Sequence, residues 1–87
     1  MTRYRREGST LWRIASGHLL LRGRTGGVVD VSGAAGVVWM LLEDPVGAAE
    51  LIDEVVEVYG APHDVVGPAV TTLLSELADL GFVEAVA

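Results

Sequence analysis

The chain has 87 residues, of which 51% are hydrophobic, and it contains no cysteine. This length limits it to one domain that buries only roughly 60% of its unfolded surface, while its hydrophobic content is too high for a disordered chain. The absence of cysteine excludes disulfides, thiolate zinc sites and a cysteine nucleophile. The longest uncharged stretch, residues 31–42, is shorter than the roughly 20 residues of a membrane span, so we expect a cytoplasmic protein without a membrane partner.

The charges divide the chain into two unequal parts. All six arginines lie within residues 1–24, together with a single acid, Glu7. Residues 25–87 contain eleven acids and neither Lys nor Arg. This distribution excludes a uniformly basic nucleic-acid binder and a polybasic C-terminal half.

The first part of the chain predicts a small antiparallel sheet. Residues 1–9 are polar and basic, and we expect them to form an arm that precedes a domain over residues 10–87. Three strands are predicted, at residues 10–15, 18–22 and 27–31. Ser16-Gly17 indicates a turn between the first two strands, and the glycines of residues 23–26 suit a hairpin loop between the second and the third. Together they predict a three-stranded meander.

The second part predicts three helices. Ser32 is expected to cap a buried apolar helix over residues 34–42, which Pro45 terminates. Residues 47–59 form an amphipathic helix that Gly60 ends. A turn at residues 64–67, with Asp64 as a good cap, precedes a helix that begins at Pro68. That helix ends near Leu80 before Gly81, after which Phe82 and Val83 pack back onto the domain.

A sheet followed by three helices in a small domain predicts an α+β fold, the winged helix-turn-helix. The apolar residues of the third helix span an arc of about 180°, whereas one core requires only about 100°. The additional width of the apolar arc has two explanations: the helix lies between the sheet and the other helices, or it carries a second contact surface. Those apolar residues are Ala69, Val70, Leu73, Leu74, Leu77, Ala78 and Leu80.

Catalysis has little support in the sequence. His18 and His63 are far apart and lack the ligand spacing of a metal site. Glu50, Asp53 and Glu57 belong to a carboxylate row on the polar face of the second helix, where solvation explains them better than acid–base chemistry. We therefore predict a protein that is not an enzyme and has no catalytic residue, metal or cofactor.

Two kinds of partner suit a winged helix. A DNA-binding regulator requires Arg or Lys on its recognition helix, but the third helix offers Glu76 and Asp79 instead. The third strand, by contrast, lies at the edge of the meander, where unpaired N–H and C=O groups accept another strand. We therefore expect an extended peptide to bind there and no nucleic acid, with DNA regulation as the alternative. The candidate peptide-binding residues are Gly27, Val28, Val29, Asp30 and Val31 on the strand, and Val70, Leu73, Leu74 and Leu77 on the helix.

Two segments resemble a known family. The segment TGGVVDVSGAAGVVWMLL, residues 25–42, is similar to the strand, helix start and Trp-containing helix of PqqD-like proteins. The segment LLSELADLGFV, residues 73–83, is similar to their Leu-rich last helix and its glycine end. The resemblance covers roughly residues 11–84, with Ser32-Gly33 in place of the usual Asn-Pro and Asp30 in the third strand as departures.

The resemblance implies a RiPP recognition element, a domain that binds the leader of a ribosomally synthesised precursor peptide. In such domains the leader adds beside the third strand and against the third helix. A stand-alone domain of this length resembles the B1 proteins of lasso-peptide pathways, whose partner is a separate cysteine protease, and PqqD-type chaperones that serve radical SAM enzymes. The arginines are expected to meet acidic groups on the leader or the protease. A third option is a homodimer formed by pairing of edge strands.

Overall fold

The computed structural model describes residues 2–23 and 26–86. Within them lie two three-stranded antiparallel sheets and three helices, which confirms the predicted α+β class. The elements are β1 (Arg3–Arg6), β2 (Leu11–Ala15), β3 (His18–Arg22), β4 (Val28–Val31), α1 (Ala35–Leu41), β5 (Val46–Gly47), α2 (Ala48–Tyr59), α3 (His63–Asp79) and β6 (Val83–Val86). No described helix is long and apolar enough to cross a membrane.

The predicted meander is present as the sheet β2-β3-β4. Ser16 and Gly17 both have positive φ, at 51° and 77°, as a two-residue hairpin turn of the favoured hand requires. In the next loop the Gly26 N–H donates to the Gly23 carbonyl at 3.1 Å, while the predicted loop residues Arg24 and Thr25 lie outside the described part of the chain. The three strands therefore match their predicted positions to within one residue.

The core lies between the inner face of this sheet and the helices. Leu19 and Leu21, which alternate along β3, are fully buried, as are Val38 and Trp39 on α1 and Leu51 on α2. The helix predicted at residues 47–59 is confirmed as α2, and Gly60 ends it in the left-handed conformation with φ 66°. The apolar periodicity of this part of the chain thus corresponds to the faces that are buried.

The N-terminal segment differs from the expected arm. Arg3–Arg6 form β1, which pairs with β6 on one side and β5 on the other. Its side chains alternate, so that Tyr4 and Arg6 are half-buried while Arg3 and Arg5 are exposed. The alternation was not recognisable from the sequence because an arginine takes one of the two inward positions, and because the partner strands lie about 40 and 80 residues away.

Arg6 occupies its inward position through contacts with α1 and two aromatic rings. Its Nε donates to the Trp39 carbonyl at 2.8 Å, and its Nη2 donates to the Met40 carbonyl at 3.4 Å. The guanidinium carbon lies 4.9 Å from the Trp12 ring centroid and 5.2 Å from that of Trp39. A cation is favoured there because the carbonyls at the C-terminal end of a helix carry its negative dipole end.

The predicted side-chain cap of α1 is wrong. The N-cap of α1 is Ala34, no side chain caps it, and Ser32 is exposed. Gly33, with φ 75°, reverses the chain between Ser32 and the helix, so the hydroxyl precedes the cap position. The N-cap of α3 is Pro62, so Asp64 and the turn predicted at residues 64–67 lie within the helix.

The third helix begins five residues earlier than predicted and continues through Pro68. A proline disfavours the helical conformation of the residue before it because its ring contacts that residue's Cβ. Here the preceding residue is Gly67, which has no Cβ, so the helix is not interrupted. At its other end the Phe82 N–H donates to the Leu77 carbonyl and the Gly81 N–H to that of Ala78, at 2.9 and 3.0 Å, which is a Schellman motif.

We expect Arg6→Ala to lower the free energy of unfolding by about 2–3 kcal/mol, because it removes charge-assisted hydrogen bonds and two cation–π contacts. Arg3→Ala, on the exposed side of the same strand, is the control and should change the free energy by less than about 0.5 kcal/mol. Urea unfolding followed by tryptophan fluorescence measures both. Equal stability of the two variants would contradict this role for Arg6.

Candidate functional site

The strand β4 has one free edge. Among the described residues it pairs only with β3, at the end of the sheet. The register places Val29 and Val31 opposite the buried Leu21 and Leu19, so these two valines face inward, whereas Val28 and Asp30 face outward. Such an edge presents unpaired N–H and C=O groups to an incoming strand.

An apolar cleft lies beside α3, and we refer to it below as the helix cleft. Its volume is about 230 Å³, and nearly all of its accessible lining is apolar. Its lining residues are Ala34, Val38, Val55, Tyr59, Ala61, Val65, Val66, Ala69, Val70 and Leu73. Val38, Val55 and Val70 are buried and form its floor, while Val65 and Tyr59 are 60% and 50% exposed.

The helix cleft and the edge of β4 are close along the chain. Ala34 lines the cleft and follows Val31 by three residues, so their Cα atoms lie at most about 11 Å apart. Leu73 also lines the cleft and packs against the same core cluster as Val29 and Val31. The packing of α3 is chiefly against α2 and β6, so the strand edge and the helix are connected through Ala34 and through the core cluster that Leu73 shares with the two valines.

The four predicted helix residues occupy three different environments. Val70 is 2% exposed and lies on the floor of the helix cleft. Leu77 is buried in the core, and Leu74 is buried on the side that faces Tyr4 of β1. Leu73 is the member of this set that lines the cleft and remains partly exposed. The wide apolar arc of α3 is thus explained by a helix packed on two sides.

Sequence reasoning missed several residues of the cleft wall, among them Tyr59, Val65 and Ala69. Tyr59 belongs to the apolar stripe predicted for α2, but its exposed ring is evident only from the packing. A helix that begins at Pro68 leaves Val65 in the preceding turn, whereas Val65 belongs to α3. Recognition that Gly67 tolerates a following proline would have added Val65 to the face of α3.

The polar groups of the described residues include two His–Asp pairs and the exposed acids of α3. The described residues contain no group of three or more potential metal ligands. The two histidines each contact one aspartate, His18 with Asp30 at 2.7 Å and His63 with Asp53 at 2.6 Å, and all four side chains are about half exposed or more. On α3, which has no Lys or Arg, Glu76 and Asp79 are exposed, and such charges repel a phosphate backbone.

A second apolar cleft lies beside the opposite edge strand, β2. It is lined by Ile14, Gly17, Gly33, Gly36, Val37, Met40 and Leu41. Trp12 lies on the inward face of β2. The Arg6 guanidinium lies over its ring, and the ring meets that of Trp39 edge to face, with 6.3 Å between the two centroids. Among the described residues β2, like β4, pairs only with β3, and the two edges differ in that the ring of Trp12 is engaged by Arg6 and Trp39.

Three helices packed on a small antiparallel sheet, in this element order, define a winged helix-turn-helix class of domain. The family model of the coenzyme PQQ synthesis protein D (PqqD) matches residues 17–83, and the chain belongs to this family. The predicted PqqD-like resemblance is thereby confirmed. No curated protein sequence matches the chain significantly.

Two solved structures share the fold. TbiB1 in complex with the TbiA(beta) leader peptide is 18% identical, with a TM-score of 0.80 over 92% of this chain and 94% of the other. The PqqD truncation of Methylobacterium extorquens PqqCD, a functional and stand-alone RiPP recognition element solved by NMR, is 15% identical. Its TM-score is 0.78, over 94% of this chain and 88% of the other. At this identity the likeness establishes the fold.

We expect Leu77→Ala to lower the free energy of unfolding by about 2–5 kcal/mol, because it leaves a cavity in the core. Leu73→Ala removes a partly exposed side chain from the cleft wall and should cost about 1 kcal/mol. Chemical denaturation of both variants measures the difference. Similar losses would show that Leu73 is as deeply packed as Leu77 and is not a wall residue.

Proposed function

We propose that this protein is a non-enzymatic recognition element that binds the leader of a ribosomally synthesised precursor peptide. The leader adds as a strand to the free edge of β4, over residues 27–31, and directs alternate side chains toward the helix cleft. The protein then presents the bound peptide to a separate maturation enzyme. Backbone hydrogen bonds supply affinity and the cleft supplies side-chain specificity.

The observation that carries this proposal is the free edge of β4 beside an apolar cleft. Val29 and Val31 face inward, toward the same core cluster as Leu73 of the cleft wall. Because side chains alternate along a strand, a peptide paired with β4 would place every second residue on that inward side. The exposed apolar wall at Val65 and Tyr59 offers area for these side chains to bury.

The comparisons support the same proposal. The chain belongs to the PqqD family, one protein of the same fold is in complex with a leader peptide, and another is a stand-alone recognition element. The charge of α3 adds a further argument, since an acidic helix disfavours the alternative of DNA regulation.

The partner enzyme is proposed as a lasso-peptide leader protease, with a radical SAM enzyme as the other candidate. The neighbouring genes distinguish them. A short precursor gene beside a transglutaminase-like protease supports the first, and one beside a radical enzyme supports the second. Sedimentation of the free protein tests the remaining option, a homodimer joined by edge strands.

Proline substitutions in β4 test whether the peptide binds by adding as a strand to the free edge, which we call the edge-strand mode. Successive residues of a strand direct their N–H groups to opposite sides, so Val29→Pro and Asp30→Pro each remove a donor from a different edge. We expect one variant to lower the free energy of unfolding, because it interrupts the ladder with β3. The other should keep its stability and lose about tenfold in peptide affinity, equivalent to one hydrogen bond.

The probe is a set of peptides selected from a displayed library of randomised 12-residue sequences, and affinity is measured by fluorescence anisotropy. The edge-strand mode is abandoned if both proline variants bind these peptides as the unmodified protein does.

A matched pair of polar substitutions tests which of the two apolar clefts binds the peptide. Val65→Gln alters the exposed wall of the helix cleft, and Ile14→Gln makes the same kind of change in the cleft beside β2. We expect Val65→Gln to reduce peptide affinity about tenfold through lost apolar burial, and Ile14→Gln to leave it unchanged. The opposite order, measured with the same labelled peptides, would place the peptide on β2.

A further inference from the structure

Asp30 lies at the centre of the proposed peptide edge and points away from the helix cleft. In the register of the sheet it is opposite Leu20, on the outward face of β4, and its side chain is 57% exposed. A strand added to β4 alternates in the same way, so every second residue of the peptide lies on this outward face. One of those residues is then the direct cross-strand neighbour of Asp30.

The Asp30 carboxylate retains capacity for a ligand. His18 Nδ1 contacts Oδ1 at 2.7 Å, and among the described residues the second oxygen, Oδ2, has no hydrogen bond or ion pair. A carboxylate accepts about four hydrogen bonds through its two oxygens. His18 belongs to β3, on the side away from the free edge, so its contact leaves the side that faces an incoming strand open.

The charges around Asp30 do not neutralise this edge. Residues 26–86 contain no Lys or Arg. Two described arginines lie on neighbouring strands: Arg22 of β3, which is opposite Val28, and Arg13 of β2, which is aligned with Asp30 through Leu20. Arg22 is one strand and Arg13 two strands farther from the peptide than Asp30. An incoming strand therefore meets an acidic side chain on its outward face and valines on its inward face.

We propose that Asp30 is a specificity-determining residue that selects a leader with Lys or Arg at the outward position directly across from it. This inference rests on the proposed function. Opposite charges directly across two strands stabilise the pairing, and like charges weaken it. For an exposed pair the expected preference for Lys over Glu at that position is about threefold to fivefold.

The randomised 12-residue peptide library tests this preference. We expect peptides recovered on the unmodified protein to share an enriched Lys or Arg at one position. The enrichment should disappear with Asp30→Asn and change to Asp or Glu with Asp30→Lys. Asp44→Asn, an exposed acid in the loop after α1, is the matched control and should keep the enrichment.

One selected peptide is then synthesised with Lys or with Glu at the enriched position. Fluorescence anisotropy should show that the Lys peptide binds threefold to fivefold more tightly than the Glu peptide. This ratio of affinities should fall toward one at about 1 M salt, where the screening length is about 3 Å.

The outcomes separate this inference from the proposed function. Peptides that bind without a charge preference, or with a preference that Asp30→Asn leaves unchanged, overturn the role of Asp30 alone. Recovery of no peptide, or binding that neither β4 proline variant weakens, overturns the proposed edge-strand function itself. Circular dichroism of each variant confirms that the comparison is made between folded proteins.

Discussion

The contact of Arg6 with the end of α1 joins the parts of this small domain. Arg6 belongs to β1, Trp12 to β2 and Trp39 to α1, so one guanidinium holds both sheets to the same helix. The Trp39 indole N–H is buried without a hydrogen-bond partner among the described residues. The position of this ring is therefore maintained by packing and by the cation beside it, which together offset the cost of an unpaired donor.

The free edge of β4 follows from how the remaining elements are packed. The meander is attached to the helices through the inward leucines of β3, Leu19 and Leu21, and α1 packs on that strand. The third helix packs chiefly on α2 and β6. No described strand pairs with the outer edge of β4, and an apolar cleft remains between the helices. Such an open edge is a liability for aggregation unless it is used for binding.

Some of the structure was predictable because its causes are local. Gly17 permits a positive φ in the tight turn between β2 and β3, and Gly60 ends α2 in the left-handed conformation, which glycine adopts without strain. The valines of residues 28–31 favour an extended backbone. The strand half of the candidate site could therefore be located from its residues. Its helical half could not, because an apolar arc does not reveal which of Val70, Leu73 and Leu77 faces the core.

Four features could be predicted from residues that are close together in the chain: the meander, the helical stripes, the terminating glycines and the separation of arginines from acids. The packing of the whole chain was needed to show that the basic N-terminus is a strand and that Arg6 points inward and is half-buried. It was also needed to show that Leu73 lines a cleft and that Leu77 is buried in the core. These outcomes depend on partners far apart in sequence, such as the pairing of β1 with β6. Apolar residues of one helix or strand can be equivalent in local sequence, and the packing of that element against its neighbours determines which of them are buried.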